Sequence, residues 1–189
     1  MGRVYVLAAA QVIERCRNGE KVRYDGFFVN RDNRRSDAEE VWESALLKSQ
    51  REPEEKKLPY MAHLLANVAF NTEISAEMAH QMTKMAESLT YRQLCILHLS
   101  ASRGRYRLRQ GSYAELVENL PRDLYQILYE YYDLFNRSLI NFDGTVAANP
   151  SGANPGTATP QAIGEDIYRL MRLDLIPDDE LAPIAEQLR

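Results

Sequence analysis

Apolar side chains recur at helical spacing along most of the chain, and this pattern predicts a mainly α-helical protein. The first predicted helix covers residues 4–17 and ends before Gly19, which accepts the left-handed conformation of a helix stop. Five of its side chains fall on one face: Tyr5, Ala9, Val12, Ile13 and Cys16. We expect that face to join the core.

Further helices are predicted between residues 36 and 101. Residues 36–39 and 90–93 have the order of capping boxes, in which a hydroxyl and a carboxylate or amide satisfy free amides at a helix start. Met78, Met82 and Met85 form a stripe that is read as core rather than as a binding groove. Residues 94–99 are apolar nearly all round, so we expect a central, buried helix there.

Residues 22–29 leave two interpretations open. Asp25 and Gly26 lie between aromatic and β-branched residues, which is typical of a β-hairpin turn. The alternative is a loop whose Phe27 and Phe28 pack on the helices.

The pattern changes after residue 102. Residues 103–109 alternate basic and apolar side chains, as a half-buried strand does. Pro121 opens a long helix that runs to about residue 137, and residues 138–142 are strand-like. Residues 145–159 contain almost no large apolar side chain, so we predict a mobile loop, followed by two C-terminal helices. We therefore divide the chain into a helical part, residues 1–89, and a second part, residues 90–189.

The order of elements in the second part resembles a winged helix-turn-helix. A helix, a short strand, a short helix, a longer helix and another strand follow one another, and residues 139–161 correspond to the wing. The resemblance rests on this order and on capping, without a specific motif. It implies a small β element and a long helix that reads DNA.

Four stretches also resemble helical bacterial proteins to which no activity is assigned. They are EKKLPY at 55–60, LLAN at 64–67, LTYRQL at 89–94 and IGEDIYRLM at 163–171. This resemblance implies no functional residue.

Composition narrows the function classes. A net charge of −4 argues against a generally basic nucleic-acid binder. The longest apolar stretch, residues 4–13, is too short to span a bilayer, which takes roughly 20 residues. Cys16 and Cys95 lie in apolar helical patterns, so we expect two buried thiols, a reducing compartment and a cytoplasmic protein without a membrane partner.

Tyrosines on the long helix are the candidate protein interface. Tyr125, Tyr129 and Tyr132 lie at i, i+4 and i+7, and tyrosine is enriched where proteins meet. The alternative is that they pack against the N-terminal helices of the same chain.

A run of arginines is the candidate nucleic-acid or anion contact. In a strand, Arg103, Arg105, Arg107 and Arg109 would share one face and could hold phosphates. The alternative is an edge strand protected by charge, or pairing with the abundant carboxylates.

Catalytic and metal motifs have little support. Glu77 and His80 match the Glu-x-x-His of helical di-iron sites, but the sequence lacks a second copy. We predict no catalytic residue, cofactor or metal. The sequence therefore favours a non-catalytic protein-interaction or regulatory module that binds a partner protein or a second copy. The alternative is a nucleic-acid-binding regulator of the winged-helix type.

Overall fold

The structure is a computed structural model that describes residues 2–30, 34–49, 52–144 and 146–189, with only the backbone of residues 48, 49 and 117. Its described residues form α-helices and one two-stranded sheet, which confirms a mainly α protein with a small β element. The chain folds as two compact units. The first unit comprises Met1–Tyr91 with Leu170–Arg172, and the second comprises Arg92–Arg169 with Leu173–Arg189.

Four helices build the first unit, with α1 packed on α3 and α2 packed on α4. Their bounds are Arg3–Arg17 (α1), Asp37–Ser49 (α2), Leu58–Val68 (α3) and Ala76–Ser88 (α4). A 3₁₀ turn, Glu55–Lys57, precedes α3. Helix α3 is central, since eight of its eleven residues are buried.

The buried side of α1 differs from the predicted one. Val4 and Ala8 are its buried residues, whereas Ile13 is 52% exposed and Cys16 is exposed. The expectation of two buried thiols is therefore wrong for Cys16 and correct for Cys95. The reason is that α1 carries apolar side chains on adjacent stripes, and the stripe with Val4 and Ala8 is the buried one.

A buried ion pair lies before α3. Lys57 is 1% exposed, and its Nζ donates to Glu52 Oε2 at 2.5 Å and to the Glu87 carbonyl at 2.9 Å. The second bond satisfies a carbonyl in the last turn of α4, where backbone acceptors lack helical partners. Lys57 thus connects the segment before α3 to the end of α4.

The loop interpretation of residues 22–29 fits the structure, and the hairpin interpretation is wrong, because residues 20–30 contain no strand. The buried Arg23 guanidinium pairs with Asp25 and donates to the Ile74 carbonyl at 2.7 Å. The backbone amide of the same arginine donates to the Ala69 carbonyl at 3.0 Å. These bonds hold the loop in place of a strand ladder. Phe27 is buried, but the neighbouring Phe28 is 41% exposed.

Five helices belong wholly or mostly to the second unit. Their bounds are Tyr91–Ala101 (α5), Arg103–Tyr106 (α6), Arg122–Asn136 (α7), Ile163–Leu170 (α8) and Asp178–Gln187 (α9). Short 3₁₀ turns cover Ala114–Asn119 and Leu173–Leu175. Residues 93–100 of α5 are all buried, which confirms the predicted central helix.

The small sheet joins β1 (Ile140–Phe142) and β2 (Ala158–Pro160) in antiparallel register, with Asn141 opposite Thr159. These strands lie at the two ends of the segment that corresponds to the wing. The strand predicted at residues 103–109 is absent, because residues 103–106 form a helical turn. The winged-helix resemblance therefore lacks one of its expected strands.

Residues 146–159, part of the stretch predicted as a mobile loop, are anchored by hydrogen bonds to the rest of the second unit; Thr145 lies outside the described residues. Two 3₁₀ turns, Pro150–Gly152 and Pro155–Thr157, lead into β2. Ala147, Ala153 and Ala158 are buried. Small side chains let the backbone approach its neighbours, and its hydrogen bonds replace large apolar anchors. For example, the Tyr113 amide donates to the Ser151 carbonyl at 2.7 Å.

No helix among the residues with described coordinates is both long and apolar enough to cross a membrane.

Candidate functional site

An apolar groove opens on the first unit. Its walls come from α1, α2 and the loop of residues 22–28, and it encloses about 650 Å³. The apolar side chains that line it are Tyr5, Val12, Val22, Phe28, Trp42 and Leu46. Three charged residues, Arg35, Glu39 and Glu43, also line it. We call this feature the α1–α2 groove.

Aromatic rings and a helix cap fix the shape of the α1–α2 groove. Tyr5 and Trp42 meet edge to face, with ring centroids 5.6 Å apart. Helix α2 starts at a capping box, in which the Ser36 amide donates to Glu39 Oε2 at 3.0 Å and the Glu39 amide donates to Ser36 Oγ at 3.2 Å. This confirms the box read from the sequence, and it fixes the start of the helix that carries Trp42.

Several large apolar side chains of the first unit are exposed. Val22 and Phe28, which line the α1–α2 groove, are 37% and 41% exposed. Elsewhere in residues 2–47 of this unit, Val6, Ile13, Tyr24, Val29 and Leu47 are at least half exposed. Single exposed apolar side chains are ordinary in soluble proteins, so the candidate interaction site is the groove, where Val22 and Phe28 lie together with further apolar side chains.

The groove was not predicted from the sequence, because the apolar face of α1 was assigned to the core. Tyr5 and Val12 belong to that predicted face, yet they line the groove and are only partly buried. The signal that could have revealed it is the width of the apolar surface on α1. Adjacent stripes through Val4, Tyr5 and Val6 exceed what one neighbouring helix can cover.

The predicted tyrosine face divides in the structure. Tyr125 and Tyr129 are 42% and 56% exposed on α7, so packing within the chain is the wrong interpretation for these two. Tyr132 is half-buried, and its hydroxyl donates to the Ala148 carbonyl at 3.1 Å. Tyr125 and Tyr129 therefore stay a predicted interface, whereas Tyr132 has a structural partner.

The four arginines do not share a strand face. Arg103 Nη1 lies 2.8 Å from Asp143 Oδ2 and donates to the Thr157 carbonyl at 2.9 Å, while Arg105 pairs with Asp178. The Arg109 guanidinium lies over the Tyr113 ring, 5.0 Å from its centroid. The alternative reading, pairing with carboxylates, thus fits Arg103 and Arg105.

Two hydrogen bonds hold this helical turn, in which Tyr106 is buried. Its hydroxyl donates to Asp178 Oδ1 at 2.8 Å, and the Arg105 amide donates to the Ser102 carbonyl at 2.9 Å. The turn ends at Arg107, whose φ of +50° lies in the left-handed region.

A cleft of about 560 Å³ lies beside this turn, and we call it the arginine cleft. Its polar side chains come from Arg103, Arg107, Gln110, Asp143 and Thr157. Gly104 and Gly156 also line it.

Glu77 and His80 show no sign of a metal centre. Glu77 is in the first turn of α4, where hydrogen bonds from its own backbone amide and from Ser75 lower its pKa. Across the described part of the chain, no three histidine, cysteine, aspartate or glutamate side chains cluster as metal ligands.

Comparisons with protein-family models, with curated proteins and with solved structures found no match to this chain. The candidate sites therefore rest on the geometry of the chain itself.

Proposed function

We propose that this protein is a non-catalytic interaction module, and that its α1–α2 groove binds the apolar face of an amphipathic helix from a partner protein. The observation that carries the proposal is the groove itself, which is concave, lined by aromatic and aliphatic side chains and open to solvent. Binding a partner there would remove apolar surface from water.

The groove lining supports a helix as the occupant. Two helices and one loop form its walls, and helix-in-groove recognition uses apolar anchors at i, i+3 or i+4, and i+7. Tyr5, Trp42 and Phe28 supply the aromatic surface that is enriched in the buried centre of such interfaces. The charged side chains of Arg35 and Glu43, which pair with each other, supply a polar edge.

Site-specific photocrosslinking tests the proposal. A benzoylphenylalanine residue replaces Val22, which lines the groove and is 37% exposed, and the protein is irradiated in cells that make it. We expect one discrete covalent adduct, and mass spectrometry should place its crosslink on an amphipathic helix of the partner.

Two matched variants give the control. Phe28→Ala removes an aromatic side chain from the groove, and Tyr24→Ala removes one that is 93% exposed on the same loop and does not line the groove. We expect the affinity for the identified helix to fall about tenfold or more with Phe28→Ala and to stay unchanged with Tyr24→Ala. No adduct, or equal effects of the two variants, would overturn the proposal. An adduct with a second copy of the chain would identify self-association in place of a separate partner.

A further inference from the structure

We propose that the arginine cleft of the second unit binds the phosphate group of a small, hydroxyl-bearing phosphate ester. The cleft is independent of the α1–α2 groove and of the function proposed for it. Its volume of about 560 Å³ lies within the range of small-molecule sites.

Arg107 is the first reason for this assignment. Arg103 and Arg105 each have a carboxylate partner, and the guanidinium of Arg109 stacks on Tyr113. Arg107 is exposed, and no residue with described coordinates forms an ion pair or hydrogen bond with its side chain.

The other polar groups of the cleft define the ligand. Gln110 has an exposed amide without a hydrogen-bond partner in the described ranges, so it can donate to a phosphate oxygen beside Arg107. Arg103 can share its guanidinium between Asp143 and the ligand, since it carries five N–H donors. Asp143 is an acceptor and repels phosphate, so it favours a ligand that also offers hydroxyl donors.

One surface feature helps a ligand to approach. An added Cβ at Gly104 would meet no atom within 4 Å, so the space above this residue is open. Gly104 lines the cleft, next to Arg103 and three residues before Arg107.

The arrangement fits a single phosphate better than a nucleic-acid backbone. A phosphodiester chain needs several unpaired cations along a track. Here the carboxylates of Asp143 and Asp178 already occupy two of the four arginines. Only Arg107 in this segment has a cationic group without a described partner or stacked ring.

Titration with defined probes tests the site. Ribose 5-phosphate, inorganic phosphate, ribose and a single-stranded oligonucleotide are added to the ¹⁵N-labelled protein, and amide shifts are followed by NMR. We expect saturable shifts centred on residues 103–110 with ribose 5-phosphate, weaker binding of inorganic phosphate and none with ribose.

Three variants separate this site from general charge attraction. Arg107→Gln should raise the dissociation constant for ribose 5-phosphate about tenfold or more, because it removes a charge-assisted hydrogen bond. Arg105→Gln removes the same charge from a residue outside the cleft, and it should change the dissociation constant for ribose 5-phosphate by less than about twofold. Asp143→Asn should tighten the binding of inorganic phosphate and reduce the preference for the sugar ester.

Amide spectra of each variant check that the second unit stays folded. The proposal fails if ribose 5-phosphate gives no saturable shift up to about 10 mM. It also fails if Arg105→Gln and Arg107→Gln weaken binding equally. Oligonucleotide binding that is tighter than ribose 5-phosphate binding and is lost with either arginine would overturn it in favour of nucleic acid.

Discussion

The first unit buries two cationic side chains, whereas the second unit keeps its arginines nearer the surface and buries the Glu130 carboxylate together with neutral polar groups. Arg23 and Lys57 are 6% and 1% exposed in the first unit. In the second unit His98 is 4% exposed, and its Nδ1 donates to the Leu173 carbonyl at 2.6 Å. Arg103 and Arg105 of that unit reach carboxylates at exposed positions.

Both units expose large apolar side chains. Among the residues with described side chains, seven are exposed in the first unit and five in the second, namely Leu116, Tyr125, Tyr129, Val146 and Leu175. The second unit brings backbone segments very close together, and glycine makes that approach feasible at Gly156 and Gly164. The first unit thus combines exposed apolar side chains with two buried cations that hold its segments together. The second unit packs backbone segments tightly against one another.

The largest effect is expected at the closest backbone approach of the second unit. An added Cβ at Gly164 would lie 1.9 Å from the Leu139 carbonyl oxygen, which already accepts the Gln161 amide. Since backbone cannot rotate away as a side chain does, Gly164→Ala should lower the free energy of unfolding by about 3 kcal/mol or more. Urea denaturation followed by circular dichroism measures the change.

Gly104→Ala is the matched control for this prediction. It adds the same methyl group in a helical turn where no atom lies within 4 Å, and the change should stay below about 1 kcal/mol, in the stabilising direction. Equal losses from the two variants would contradict the tight-packing explanation for the second unit.

Close contacts between distant backbone segments could not be predicted from the sequence. Helical periodicity predicted α5 and α7, and a short apolar run predicted a strand at residues 138–142, of which residues 140–142 form β1; these patterns depend on neighbours along the chain. The packing of residues 146–159 depends on hydrogen bonds to distant segments, such as the 3.0 Å bond from the Gly156 amide to the Arg109 carbonyl. Small residues that permit such contacts have the same composition as a mobile loop, so the sequence could not distinguish them.

The candidate sites were predictable to different degrees. Tyr125 and Tyr129 were singled out from their spacing, and their exposure agrees with an interface without proving one. The alternation of residues 103–109 predicted a strand that buries Tyr106 and Leu108; both side chains are buried, but residues 103–106 form a helical turn. The α1–α2 groove was missed because periodicity identifies apolar faces without telling which of them a neighbour covers.

The next largest effect concerns the buried ion pair of the first unit. The side chains of Lys57 and Glu52 are 2% and 5% exposed, so Lys57→Met leaves a carboxylate buried without its cation. The free energy of unfolding should fall by about 3 kcal/mol. Trp42 is the one tryptophan of the chain and belongs to the first unit, so its fluorescence during urea denaturation reports on this unit.

The double variant Glu52→Gln with Lys57→Met tests whether charge explains that loss. Without a buried carboxylate, the double variant should be more stable than Lys57→Met alone. If both unfold at the same urea concentration, the ion pair is not what holds the segment before α3.

A smaller, pH-dependent effect is expected in the loop of residues 20–30. The hydrogen bond from the Arg23 guanidinium lowers the pKa of Asp25 below its usual 3.8. A carboxyl whose pKa is lower in the folded state stabilises the fold above its unfolded pKa and loses that contribution as the pH falls through the folded pKa. Asp25→Asn should therefore cost about 1 kcal/mol near neutral pH, since the carboxylate is one-third exposed.

The pH dependence of the stability of Asp25→Asn tests whether the Asp25 carboxylate stabilises the fold through its charge. The stability difference between Asp25→Asn and the wild type should be constant from neutral pH to about pH 5 and should shrink below pH 3.8. Urea denaturation followed by Trp42 fluorescence across this range measures it. If the stability difference between the two proteins widens as the pH falls, Asp25 does not stabilise the loop through its charge.

The smallest effect on stability is expected at the exposed tyrosines of α7. Tyr125→Ala and Tyr129→Ala should each change the free energy of unfolding by less than about 1 kcal/mol, since the two side chains are 42% and 56% exposed. Tyr131→Ala, on the buried side of the same helix, should cost about 3 kcal/mol or more and serves as the comparison.

If Tyr125 and Tyr129 form an interface, the double variant should keep its fold and weaken association by about 2 kcal/mol per tyrosine. Sedimentation velocity of the protein alone, and of its complex with the partner that the groove crosslink identifies, measures that association. A loss of folding in the double variant would instead mean that the tyrosines belong to the core, and unchanged association would remove α7 from the interaction surface.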